Sequence, residues 1–226
     1  MYSIKRISQS IAIKLKDNLN LDQDKYEVVE YGLFAIIHMI FSVGLIILFG
    51  TVFNVLLEAL IISFTIAILR KSSGGAHAST DLSCAIIGVI FSVIPAIIFV
   101  NINIDIISLI LISFFIFLLS FYLIYKLAPV DSPNKPIRSE KKIKRLKKGS
   151  LITLGIYMVL FIINVLLSIK SDAAIFKIYG LCISFGVLWQ SLTLTKLGHI
   201  ILNLMDSFFI EILKRKGRCK NEKVKQ

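Results

Sequence analysis

Two side chains in the stretch RKSSGGAHASTDLSC, residues 70–84, have the chemistry of a nucleophile and its base: Cys84 and His77. A cysteine attacks as its thiolate, and a free thiol is mostly protonated at neutral pH. A nearby imidazole can take that proton and later deliver it to a leaving amine. The two residues are seven positions apart. On one straight helix they would share a face but stand about 10.5 Å apart along the axis, too far for a hydrogen bond. The residues between and before them supply a way round. Gly74 and Gly75 permit turns that other residues resist. Ser79 and Thr80 are good N-cap residues, and Asp81 suits a first helical turn. The spacing therefore predicts a helix starting near Thr80, with His77 in the loop before it. Cys84 then falls in or just past the first turn, where a helix N-terminus favours a thiolate.

The same residues also fit a structural reading, in which the histidine hydrogen-bonds beside a membrane helix and the cysteine fills space. Several neighbours could complete a site. Asp81 could orient the imidazole, or serve only as an N-terminal helix acid. The backbone N–H groups of Gly74 and Gly75 could hold an oxyanion, and Ser83 could donate to it. Arg70 and Lys71 are close enough in sequence to orient a substrate. Zinc needs three or four ligands, and His38 and Cys182 lie in other apolar segments. No metal or other cofactor is expected.

The elements that must position this pair are membrane helices. Of the 226 residues 56% are hydrophobic, against about 45–50% in a soluble domain. The mean hydropathy is +0.82. A bilayer core takes about 20 apolar residues per helix. The run from Val28 to Leu69 is long enough for two spans, with a turn between Gly50 and Asn54. Leu82 to Val100 is a third span, expected to kink at Pro95. A fourth runs to Ala128, Ser150 to Ile169 is the fifth, and Ala174 to Lys196 the sixth. With the N-terminus in the cytosol, 24 of the 26 Lys and Arg residues fall on the inner side, and only Lys170 and Lys177 lie outside. That asymmetry is a strong positive-inside signal. The fold class is thus all-α: a polytopic membrane protein of six transmembrane helices with both termini and residues 70–84 facing the cytosol.

Residues 1–27 carry no cleavable signal peptide, because no continuous apolar run precedes Asp17, Asp22, Asp24 and Glu27. Ile4, Ile7, Ile11 and Leu15 recur at helical spacing. They predict an amphipathic helix that lies on the membrane or packs on the protein's own cytosolic face. The whole chain, 1–226, reads as one membrane domain: an interfacial segment 1–27, a core 28–197 with a basic loop 129–150, and a basic tail 198–226. The net charge of +12 sits in few residues, since only 18% are charged. With this hydropathy, anionic lipid or an acidic substrate segment is the expected partner, and nucleic acid is not. Glu30 and Glu58 are ionisable groups in or near spans, and Glu58 could pair with His38 across the first two. Asn164 and Gln190 read as bridges between helices. A homodimer suits the thin bundle that six short spans give, although no span carries a clean GxxxG.

Arg70-Lys71, Gly74-Gly75-Ala76-His77-Ala78 and Cys84 together strongly resemble the accessory gene regulator B family (AgrB). A second block, Ala128-Pro129-Val130-Asp131-Ser132-Pro133-Asn134-Lys135-Pro136-Ile137, looks like the APADxxNKPI-type block after that family's fourth span, with Val130 where alanine is common. The resemblance covers nearly the whole chain. It implies a membrane cysteine endopeptidase of the bacterial cell membrane with His77 as base and Cys84 as nucleophile. The implied substrate is a quorum-sensing propeptide with an amphipathic leader, a signal segment and an acidic C-terminal tail. Cleavage releases the tail, and the acyl-enzyme thioester is captured within the signal segment to give a cyclic thiolactone or lactone. Lys135, Arg138, Lys141, Lys142, Lys144, Arg145, Lys147 and Lys148 would suit the acidic tail, or serve as a topology signal and lipid contact. The reading from another class is a small transporter or channel, against which stand the few charges in the spans and the lack of paired broken helices. A third is a non-catalytic membrane scaffold in which the glycine loop is only a turn.

Overall fold

The computed structural model describes residues 3–76, 78–130, 139–171 and 173–223. Its elements are α1 (Ser3–Leu19), α2 (Gln23–Val52), α3 (Leu56–Ser73), α4 (Asp81–Asn101), α5 (Ile106–Leu127), α6 (Glu140–Ser171), α7 (Ala174–Leu192) and α8 (Lys196–Lys223). The described residues contain no strand, only an isolated bridge between Gly74 and Val130. Five helices, α2 and α4 to α7, are long and apolar enough to cross a membrane. The shorter α3 carries Glu58 in its first turn and Arg70 and Lys71 in its last.

Helix ends fall where local chemistry puts them. The Asp22 carboxylate accepts from the Lys25 N–H at 2.8 Å and starts α2. The side chain of Lys25, and then that backbone hydrogen bond, hold the Asp22 carboxyl below the usual range. Asp105 starts α5 in the same way, accepting from the Ser108 N–H at 2.8 Å. The α2–α3 turn is made by Asn54 at φ 56°. α4 continues through Pro95, which is buried. Lys141, Lys142, Lys144, Arg145, Lys147 and Lys148, ahead of the fifth predicted span, are helical too and form the first turns of α6.

α3 and α7 form the centre of the bundle. Both are lined with small residues, which lets apolar helices approach closely where lipid offers no hydrophobic drive to separate water from side chains. A Cβ on Gly186 would stand 2.8 Å from Thr65 Cβ, so α7 fits α3 only with glycine there. Leu109, Phe117, Tyr157, Phe161, Ile183 and Val187 join α5, α6 and α7 into one core. Ala59, Ile62, Val93, Ala96 and Cys182 join α3, α4 and α7 into another. Polar bonds also cross between helices: Ser184 donates to Ser113 at 2.9 Å, and the Tyr157 hydroxyl donates to the Phe64 carbonyl at 3.3 Å.

α1 packs along α2, and it does so with a face other than the isoleucine stripe, against the expectation of a stripe packed on the protein but in keeping with one turned to the membrane. Ser8 and Ala12 are the buried residues, while Ile7 and Ile11 are exposed. Small side chains permit the close approach, and the isoleucines are left as an apolar outer face. Asn164 also departs from expectation: its amide donates to Leu160 of its own helix at 2.8 Å and bridges nothing.

A glycine loop, a buried arginine and Cys84

The site begins where α3 ends. Gly74 takes φ 69° and ψ −148° and Gly75 takes φ 126°, the first in a region open essentially to glycine alone. These angles throw the chain out of α3 and between two other segments. On one side Val130 donates its N–H to the Ser73 carbonyl at 2.9 Å. A Cβ on Gly74 would run into the Val130 carbonyl oxygen. On the other side, Gln190 of α7 donates to Ser73 Oγ at 3.0 Å and to the Gly74 carbonyl at 2.8 Å. A Cβ on Gly75 would meet Thr193 Oγ1 at 2.7 Å. The two sequence blocks, around Gly74 and around Val130, are thus in direct contact. Gln190 bridges helices as expected, and it does so at the site.

Past the glycines the loop is tied again. The Ala76 N–H donates to the Thr193 carbonyl at 3.2 Å, and Arg70 Nη2 donates to the Ala76 carbonyl. His77 lies outside the described residues, as do Lys135 and Arg138. Thr80 caps α4, its hydroxyl accepting from the Ser83 N–H at 3.2 Å. The Cys84 N–H closes the first turn on the Thr80 carbonyl at 2.9 Å. The cap and first turn stand where the Ser79-Thr80-Asp81 pattern put them, and Cys84 is partly buried there.

Cys84 opens into a cavity of about 190 Å³ between α2, α3, α4, α7 and α8. Ile66, Ile87, Phe91 and Trp189 give it apolar walls, Phe91 and Trp189 stacked with centroids 3.5 Å apart. Arg70 lines the same cavity, as do Ala76 and Ala78, the two neighbours of residue 77. Arg70 Nε is buried there with no hydrogen-bond partner among the described residues, and the guanidinium and the Cys84 sulfur are electrostatic neighbours.

The remaining candidates sit around this centre. Lys71 is exposed at the end of α3. The Gly74 N–H is spent on the Arg70 carbonyl at 2.9 Å. The Ser83 hydroxyl accepts from Thr80 at 2.7 Å and is buried. Asp81 lines a separate cleft with Lys5, Glu27, Glu30, Tyr31 and Phe34. Its carbonyl meets His38 Nε2 at 2.9 Å. His38 therefore does not pair with Glu58, which lies at the far end of the bundle near Tyr179 and Cys182. Cys182 is fully buried between helices, and among the described residues no group of three His, Cys, Asp or Glu could hold a metal.

α8 is the part the sequence reading missed, having treated residues beyond 197 as a basic tail. It packs on α4. Leu202, with Met205 and Phe209, covers Ala76, Ala78, Ile87 and Trp189. The spacing of 202, 205 and 209 is helical, and that signal was legible. Asp206 is buried on the same face, and its Oδ2 accepts the Ser79 N–H at 2.9 Å. Burial pushes this carboxyl up, but hydrogen bonding by Ser79 and Ser83 outweighs it and leaves it below the usual carboxylate range.

The family model for Accessory gene regulator B matches residues 8–194. The chain belongs to the AgrB family. A "Putative AgrB-like protein 2" of Clostridium perfringens (strain 13 / Type A) is 41% identical over 215 residues, 93% of this chain and all of the relative. The "Accessory gene regulator protein B" of Staphylococcus intermedius is 28% identical over 192 residues, 85% of this chain and 94% of the relative. No solved structure matches. Membership in AgrB and the five apolar helices make this a multi-pass membrane protein, with a role in the accessory gene regulator quorum-sensing system.

Arg70 offers a direct test of the loop geometry. Its guanidinium reaches the Ala76 carbonyl with one nitrogen and the cavity with another. A lysine offers one compact charge and cannot do both. Arg70→Lys is expected to slow any reaction at Cys84 by at least about tenfold, since losing a charge-assisted bond in a buried site costs about 1.5–3 kcal/mol. Initial rates at matched membrane levels check this, and an undiminished rate with lysine contradicts it.

Proposed function

We propose that the chain is a cysteine endopeptidase of the bacterial cell membrane that removes the acidic C-terminal tail from a short amphipathic propeptide and promotes cyclisation of the remainder. Cys84 is the nucleophile and His77 the base. The observation that carries this reading is the placement of Cys84: first turn of α4, in a largely apolar cavity that Arg70, Ala76 and Ala78 also line.

In this mechanism the imidazole takes the Cys84 proton and the thiolate adds to the scissile carbonyl. The C–N bond breaks, the tail leaves as an amine with the proton returned by the imidazolium, and the signal segment remains as a thioester. An internal thiol or hydroxyl then attacks that thioester, closes the ring and returns Cys84. Thioester exchange with a thiol is nearly isoenergetic, whereas hydrolysis is strongly downhill and destroys the product. Walls such as Ile66, Ile87, Phe91 and Trp189 keep water out and so favour closure.

The reading places six spans in the bilayer, with both termini and the Cys84 end at the cytosolic face. α3 is the sixth span: its 18 residues measure about 27 Å, its charges lie at its two ends, and it packs against α7, α4, α6 and α2. The exposed Lys141, Lys142, Lys144, Arg145 and Lys148 at the start of α6 suit an acidic tail or anionic lipid. Gly149 of that helix lies beside Ser72 at the end of α3, which brings the basic turns to the same end of the bundle as the site.

The test is membrane vesicles holding the full chain, incubated with a tagged propeptide. The expected result is a released tail and a chain-linked acyl conjugate that hydroxylamine removes. An intact propeptide, or release with no such conjugate at any time, would overturn the proposal.

A further inference from the structure

The cavity that Cys84 lines runs inward along α4. Cys84, Gly88 and Ser92 recur at four-residue spacing and share one face of that helix, with Ile87 and Phe91 beside them, and all five line the cavity. Gly88 stands one turn beyond Cys84, about 6 Å along the axis, and Ser92 about 12 Å. Ile66 of α3 and Trp189 of α7 line it from other helices.

The room next to the sulfur comes from what residue 88 lacks. A Cβ on Gly88 would meet nothing within 4 Å. Its backbone is helical, so no positive φ asks for glycine. No neighbour asks for it either, in contrast to Gly186, where a Cβ would press on Thr65. Glycine weakens a helix interior relative to alanine. Gly44 and Gly155 have as much room, but they are exposed on outer faces, whereas Gly88 opens on the cavity. A cavity of about 150 Å³ with Leu, Ile and Phe walls is enough to bind benzene. This one, at about 190 Å³, has space for one aromatic ring or one long aliphatic chain.

Resting on the peptidase reading, we infer that the cavity seats the side chain of the substrate residue whose carbonyl Cys84 attacks, that it takes an aromatic or long aliphatic group there, and that Gly88 sets its size. The chemistry picks out that residue. Its side chain springs from the carbon bonded to the carbonyl under attack, so it is the one brought beside the sulfur. It also stays with the thioester when the tail leaves. A seated side chain then holds the acyl group still and fills space that a hydrolytic water would need while the ring closes.

Thiol reagents of two sizes test the pocket without a substrate. The full chain with Cys182→Ala and Cys219→Ala keeps Cys84 as its one cysteine. In membrane vesicles, labelling of Cys84 is timed with methyl methanethiosulfonate and with benzyl methanethiosulfonate, and the benzyl-to-methyl rate ratio is compared among chains. Gly88→Leu should lower the ratio by about tenfold or more, the scale on which apolar pockets discriminate by size. Gly88→Ala should lower it by a smaller factor, about twofold or more, and carries the test if Gly88→Leu fails to insert. Ile66→Ala, which returns room from α3, should recover much of the ratio lost in either variant. Gly44→Leu, on an outer face, should leave the ratio where it was. An unchanged ratio at position 88, equal slowing of both reagents, no recovery with Ile66→Ala, or a fall in Gly44→Leu each overturns the inference. Two tagged propeptides that differ only in phenylalanine or alanine before the cleaved bond supply the second arm. Wild type should release the tail of the first about tenfold faster or more, and Gly88→Leu should shrink or reverse that preference. If the labelling ratio shifts while wild type releases no tail from either propeptide, the peptidase reading fails alone; if tails are released with no regard to that residue, the pocket fails alone.

Discussion

Cys84→Ala is expected to end tail release, with a loss on the order of 10⁴-fold or more, the scale seen when an acyl-transfer nucleophile is deleted. The substitution removes the sulfur that forms the acyl bond in the proposed mechanism. It does little else, because Cys84 is only partly buried and alanine continues the first turn of α4. Serine at the same place keeps the shape but offers a hydroxyl that the same base deprotonates far less readily, so Cys84→Ser should fail as well. Cys182 provides the contrast. It is fully buried among α3, α4 and α7, so Cys182→Ala should lower stability by about 1–2 kcal/mol, as for other lost core volume, and leave release intact. Immunoblots of the tagged tail, at matched amounts of membrane-inserted chain, check both. Release that survives Cys84→Ala would remove the nucleophile from this position.

The second large effect is structural in cause and functional in outcome. Gly74→Ala should abolish release and lower stability by about 3 kcal/mol or more, the sum of backbone strain and a steric clash. At φ 69° and ψ −148° an alanine is strained whatever surrounds it, and here its Cβ would meet the Val130 carbonyl. Relief requires the Ser73–Val130 bond to part, and with it the Gln190 bonds to Ser73 and Gly74. The loop that leads to Ala76 and Thr80 then loses its seat between α5 and α7. Gly44, in mid-α2 with nothing within 4 Å of an added Cβ, is the control, and Gly44→Ala should be neutral or slightly stabilising. Thermal unfolding in detergent measures the first quantity and tail release the second. A Gly74→Ala chain that melts and cleaves like wild type would show that the loop does not need this contact.

Much of this molecule is written locally in its residues. Runs of apolar residues between Val28 and Lys196 set where helices must lie, because unpaired backbone groups cannot sit in lipid. The start of α4 at Thr80 follows from cap chemistry within four residues, and the position of Cys84 in the first turn follows from that start. Gly74 and Gly75 marked a turn, and the structure has positive φ at both. Each of these is a property of a short segment and its solvent.

What lies opposite what was not local. Nothing in the hydropathy of α7 says that Gln190 will hold Ser73, or that Val130 will close on Gly74 from a segment more than fifty positions away. In a chain where most helix faces are apolar, hydrophobic periodicity cannot rank partners; close packing at small residues such as Gly186 against Thr65, and Ser8 and Ala12 against α2, does so. The same holds for α8. Its Lys and Arg residues read as a cytosolic tail, yet Leu202, Met205 and Phe209 find an apolar surface made by four other segments. The amino-acid sequence alone determined the apolar helices, the cap that starts α4 and the place of Cys84 in its first turn, because backbone propensity and burial in lipid act over a few residues. Only the tertiary structure decided that Asp206, more than a hundred residues downstream, holds the Ser79 N–H just ahead of α4, because such a meeting depends on which surfaces fit.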